Sequence, residues 1–222
     1  MLHHEGLLEY DADSKTWDWN LSKIDDATMS TANVVVMLQN RLAALPQQVQ
    51  SLLQCAAYLG SSFSESTIDL VWSTFGRRLV ESRIERTSAL FKVIVEEEIM
   101  EICGDNQFKW VHDKLQEAAL SLTGTHRESF QLDIGRTLYY GLDKQQVEDE
   151  LFTIVDLINN GNELKLAEFA VANLRAAEQA RDLASFQSAS SYIAHGISLL
   201  GDDKWSTDRF VTLKLYPMGA EM

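Results

Sequence analysis

His112-Asp113 is the doublet in this sequence best suited to chemistry. Imidazole nitrogen ligates transition metals, and a neighbouring carboxylate can orient a histidine as general base. Either use needs convergence, because a metal site wants three or four ligands and no second His or Cys pair is spaced to supply them. The plainer expectation is local. His112 would end a strand and hydrogen-bond nearby, and Asp113 would sit in the first turn of a helix, where its charge complements the macrodipole by roughly 0.3–1 kcal/mol. The other chemical groups are weaker candidates. His3-His4 is a terminal pair, His126 and His195 stand alone, and Glu96-Glu97-Glu98 fits a solvated turn better than an acid–base pair. Cys55, among Leu53, Ala56 and Ala57, has the surroundings of a small core residue. Cys103 adjoins a Gly-Asp-Asn turn with no base beside it to activate a thiolate. Arg77, Arg78, Arg83 and Arg86 could touch phosphate, but Glu81 and Glu85 among them favour salt bridges along a helix face.

Several larger signatures are missing. There is no GxxxxGK followed by Ser or Thr, no protein-kinase loop set, no GxGxxG and no GxSxG. The chain of 222 residues carries 19 Lys and Arg against 33 Asp and Glu, a net charge of -14. Such a charge repels phosphate backbones and anionic bilayers alike, so neither nucleic acid nor membrane is expected as a partner. No apolar run approaches the roughly 20 residues that span a bilayer, and the N-terminus has no basic-then-apolar signal pattern. Two cysteines are too few for a disulfide framework, which points to a reducing, cytoplasmic setting. The expectation is a soluble, non-enzymatic, mainly helical chain, with catalytic, cofactor and metal residues all absent.

The elements follow from periodicity. Leu8, Tyr10, Trp17, Trp19 and Leu21 alternate around a polar DADSK cluster, a short hairpin in a linker spanning residues 1–30. Val35, Leu38, Leu42 and Leu45 then recur at helix spacing. Pro46 suits the first turn of a second helix, apolar at Val49, Leu52, Leu53, Ala56 and Ala57, with Gly60 at its cap. Ser62-Phe-Ser-Glu65 matches a capping box for a third helix closed by Gly76, and a fourth runs through Val80, Ile84 and Phe91. EEEIMEIC-GDN-QFKWVH reads as two strands about a turn. Helices followed by a hairpin give a winged-helix-like domain over residues 31–123, an architecture used both to read DNA and to contact proteins.

Beyond it, helices carry Val111, Leu115, Ala118, Ala119 and Leu122, then Phe130, Ile134 and Leu138 behind a Thr125–Glu128 capping box. Further stripes are Val147, Leu151, Val155 and Ile158; Leu164, Ala167, Val171, Leu174 and Ala177; and Phe186, Ala189, Ile193, Ile197 and Leu200. Short loops and Ala-rich contacts predict antiparallel pairs of a TPR-like α-solenoid over residues 124–222. The last segment, WSTDRFVTLKLYPMGAEM, starts a helix with no evident partner, as in a truncated array.

The order of WDWNLSKI, TANVVVMLQNRLAALPQQVQSLLQCAAYLGSSF, FKWVHDKLQEAALSL, RESFQLDIGRTL, LFTIVDLINNG and the Ala-rich stretch to GDDKW resembles one family. It is similar to the region after the ATPase module in multidomain signalling ATPases of the STAND/AAA type, proteins that often carry serine/threonine-kinase-like or histidine-kinase domains. The resemblance covers about residues 8–220. Its most specific part, within Phe108 to Ala119, is similar to the family's F-x-x-HD-x-x-Q-x-AA stretch, matched by His112, Asp113, Gln116, Ala118 and Ala119. The chain departs at Gln131, where the family often has His, and around Gly76–Arg86. The half that would hold Walker motifs is missing. The resemblance therefore implies a regulatory scaffold that contacts an ATPase domain and other proteins, with His112, Asp113, Gln116 and Ala119 as interdomain-contact candidates. ATP and Mg are implied only for the upstream module. Alternatives are a stand-alone helical adaptor and a winged-helix DNA-binding regulator, the latter opposed by a third helix, SESTIDLVWSTF, nearly devoid of basic residues.

Overall fold

A computed structural model describes residues 8–11, 16–19, 34–79, 85–104, 106–122, 127–161 and 167–220. The chain is mainly helical, with a small three-stranded antiparallel sheet. The N-terminal hairpin pairs β1 (Leu8–Asp11) with β2 (Thr16–Trp19), Tyr10 opposite Trp17. Leu21 and the Thr125–Glu128 box start lie outside the described residues.

Helix α1 covers residues 34–43 and α2 covers Gln47–Ala57. Pro46 stands at the N-cap of α2, where its fixed φ (-53°) fits and its missing N–H costs nothing. Past the C-cap, Gly60 turns the chain at φ +96°, a region that glycine enters without strain. The sequence departs from expectation next. Ser62 does not cap a helix: Ser62–Ser64 is a strand, β3. The cap is Ser64, whose Oγ accepts the Thr67 N–H at 3.1 Å. Helix α3 (Glu65–Leu79) passes through Gly76 rather than ending there, and α4 begins at Thr87 (Thr87–Glu96). Strands β4 (Met100–Cys103) and β5 (Gln107–Trp110) flank the expected turn, with Gly104 at φ +62° and Asn106 at +59°.

The sheet order is β3-β5-β4, all antiparallel. Register places Phe63, Phe108 and Ile102 in one cross-strand row. Phe91 of α4 stacks on Phe108 with ring centroids 3.8 Å apart. Helix α5 (Asp113–Ser121) then crosses back against α2.

The rest is helical: α6 (Arg127–Gly141), α7 (Lys144–Asp149), α8 (Leu151–Asn160), α9 (Ala167–Asp182), α10 (Phe186–Leu199), α11 (Lys204–Thr207) and α12 (Arg209–Ala220). The stripe over 147–158 is two helices, because Asp143 and Gln146 form a capping box that starts α7 and the chain breaks at Glu150. Val111, Val171 and Phe186, expected in the core, are exposed (50%, 37% and 60%). The last helix does have a partner. Val211, Leu215 and Met218 of α12 are buried on α10 and α9, with Leu215 filling the space a side chain at Gly196 would occupy.

Among the described residues one apolar core runs from Leu42 to Met218. Phe130 of α6 sits edge-on to both Tyr58 (5.6 Å) and Phe75 (5.4 Å), and so carries the core across residues 123–126. Asn173, fully buried on α9, exchanges amide hydrogen bonds with Asn159 of α8 (2.9 and 3.1 Å), which fixes the register of that pair. No helix among the described residues is long and apolar enough to cross a membrane.

Candidate functional site

The motif from Phe108 to Ala119 lies on β5, a short turn and α5. Phe108 and Trp110 face inward (6% and 3% exposed). The Val111 N–H donates to the Ile99 carbonyl at 3.1 Å, holding the strand's end to the residue before β4. His112 follows in extended conformation (φ -150°, ψ 139°) and is the N-cap of α5, its Nδ1 accepting the Lys114 N–H at 3.1 Å. This contact fixes Nδ1 as the acceptor atom, so a neutral ring carries its proton on Nε2. Asp113 occupies the first turn, exposed, where the helix dipole favours a carboxylate.

One turn on, Gln116 points at α2. Its Nε2 donates to the Ala57 carbonyl at 2.9 Å, one of the acceptors left over at the end of α2. Gln54 of α2 returns the favour at the other helix, donating to Leu122 O at 3.1 Å. Ala118 and Ala119 are fully buried, and their small side chains let α5 lie close on α2. The structure thus strings the motif along a strand, a cap and a helix without converging it on a common point. Among the described residues, no group of three His, Cys, Asp or Glu side chains could hold a metal ion.

The other candidates resolve similarly. Cys55 is wholly buried, and burial pushes its thiol up to about 12, so it stays protonated and unreactive. Glu96, Glu97 and Glu98 form the exposed end of α4 and the turn after it. Glu81 lies outside the described residues, and among these Arg78 forms no ion pair with Glu85. Arg78 meets Asp133 of α6 at 3.6 Å, a contact between helices, and lies over the ring of Phe75 one turn back on α3. Arg83 and the Arg77 side chain lie outside the described residues.

Two concavities were not legible from the sequence. A groove of about 380 Å³ lies between α4 and the β4–β5 hairpin, over Phe91, Val95, Ile102 and Phe108. A cleft of about 260 Å³ and mixed lining separates the ends of α2 and α5 from α6 and α8. Tyr58, Gln116, Arg127, Gln131 and Asp156 line it, and the buried Tyr58 hydroxyl has no hydrogen-bond partner among the described residues. Desolvation raises the Asp156 carboxyl, while a hydrogen bond from Tyr192 and the charge of His195 on α10 pull it back. Both cavities are assembled from residues distant in sequence, and no spacing pattern marks them.

Comparison with protein-family models, curated proteins and solved structures returns no match.

Proposed function

We propose that the chain is a non-catalytic docking and relay module: a winged-helix-like unit followed by antiparallel, TPR-like helical pairs, of the kind that follows the ATPase module in STAND/AAA-type signalling ATPases. The order α2-β3-α3-α4-β4-β5, with the first strand beside the last, supports the winged-helix assignment. The successive packing of α6, α8, α9, α10 and α12 supports the array. The observation that carries the functional reading is the fate of the motif. His112 is a cap, Gln116 a helix-end ligand, and Ala118 and Ala119 packing surface. Residues so committed serve the fold and the way it presents its faces. In this scheme ATP and Mg belong to a neighbouring ATPase domain in a cytoplasmic signalling protein. Its nucleotide state biases how the module docks, and the helical pairs pass that bias to protein partners.

A stand-alone adaptor would use the same surfaces without an ATPase in the chain. A DNA reader is disfavoured by a specific observation: α4, the helix that immediately precedes the hairpin, has Lys92 as its single basic residue, and Lys92 is paired with Glu96 at 3.9 Å.

His112 provides the test. Replacing an N-cap by Ala costs about 1 kcal/mol, whereas Asn is among the best caps. We expect His112→Ala to lower the free energy of urea unfolding by about that much and His112→Asn to restore it. Two variants as stable as the parent chain would mean that His112 is held for some purpose other than the fold.

A further inference from the structure

The groove beside α4 has features that folding alone does not use. Its floor is the stacked Phe91–Phe108 pair, both nearly buried, yet Ile102 at its lip is 63% exposed. Ile102 lies on β4, the outermost strand of the sheet, so one edge of β4 is unpaired among the described residues. An unpaired edge beside an apolar groove is the geometry of strand addition, in which main-chain bonds give affinity and alternate side chains fill pockets. At about 380 Å³ the groove is within the usual range for side-chain and small-molecule sites.

The rim decides what kind of segment fits. Lys92 is paired with Glu96, and Lys109 of β5 with Glu101 at 3.7 Å. Glu65, which also lines the groove, has no cationic partner among the described residues. The rim therefore carries one carboxylate, in the first turn of α3, that no cation among the described residues neutralises, on a chain of net charge -14. We propose that this groove and the free edge of β4 receive an extended segment of a partner protein, with a bulky apolar side chain seated over Phe91 and Phe108 and a Lys or Arg opposite Glu65. This rests on the docking-module reading and names the chemistry of one partner. The same charge opposes a nucleic-acid backbone on this face.

The test is amide-resolved NMR titration of the full chain with a short synthetic peptide, a central Phe between alternating Lys and Thr, and with its counterpart carrying Glu for Lys. The expected result is perturbation of Phe91, Lys92, Ile102 and Cys103, with the Lys peptide binding at least roughly tenfold tighter than the Glu peptide. Ile102→Glu, at an exposed position that leaves the core intact, should abolish the effect. Equal affinity for both peptides, or indifference to Ile102→Glu, would overturn the proposal. Perturbation confined to α9–α12 would overturn the groove assignment and leave the docking module standing. Displacement of the peptide from the same amides by duplex DNA would overturn both.

Discussion

At position 55 burial sets the chemistry of a thiol. Cys55 is enclosed by the α2 core, where the neutral form is favoured and the proton is held to about pH 12. In the unfolded chain the same thiol ionises near its ordinary 9.0. The folded state therefore binds the extra proton, and stability must fall as pH rises from about 9 toward 12, by about 1.4 kcal/mol per pH unit. Below 9 both states are protonated and the group contributes no pH dependence. We expect the difference in unfolding free energy between the parent chain and Cys55→Ala to be flat to pH 9 and to shrink above it. A constant difference to pH 11 would contradict the buried thiol. This environment was legible, since Cys55 stands among apolar neighbours at helix spacing. The reciprocal caps of Gln54 and Gln116 were not, because an amide side chain carries no mark of which distant carbonyl it will meet.

Helix ends decide the packing of elements, and Gly161 shows how. It closes α8 with its backbone pressed on α6: a Cβ there would lie 2.3 Å from the Glu128 carbonyl oxygen and 2.6 Å from the Leu132 nitrogen. Those are backbone atoms and cannot step aside. Gly161→Ala should destabilise by about 1–3 kcal/mol or more in urea unfolding, as overpacking does. Gly201→Ala, where the added carbon meets nothing within 4 Å, should stay within about 0.5 kcal/mol. Comparable losses at both sites would refute the close approach. From the sequence Gly161 is a helix end and no more, and its contact with α6 comes from tertiary packing. The same limit hid β3. Three residues are too few to show alternation, and Ser62-Phe-Ser-Glu65 matches a capping box, whereas the fold caps α3 two residues later, at Ser64. The α7–α8 break was obscured because Val147, Leu151, Val155 and Ile158 keep helical spacing straight through Glu150.

For the whole molecule, the order of helices and hairpin was legible from period and turn chemistry, and the mainly helical class with it. How the last helix is used was not. Arg209–Ala220 looks unpartnered as a string, yet it buries one side on α9 and α10 while Phe210, Leu213 and Tyr216 remain on the other. The continuous core through Phe130 makes the hairpin-bearing part and the helical pairs mechanically connected, as a relay requires. On the proposed reading this body docks and transmits without handling nucleotide itself. Calorimetric titration of the full chain with Mg·ATP tests it most directly. We expect no saturable heat up to millimolar nucleotide, and a saturable isotherm with micromolar affinity would refute that reading.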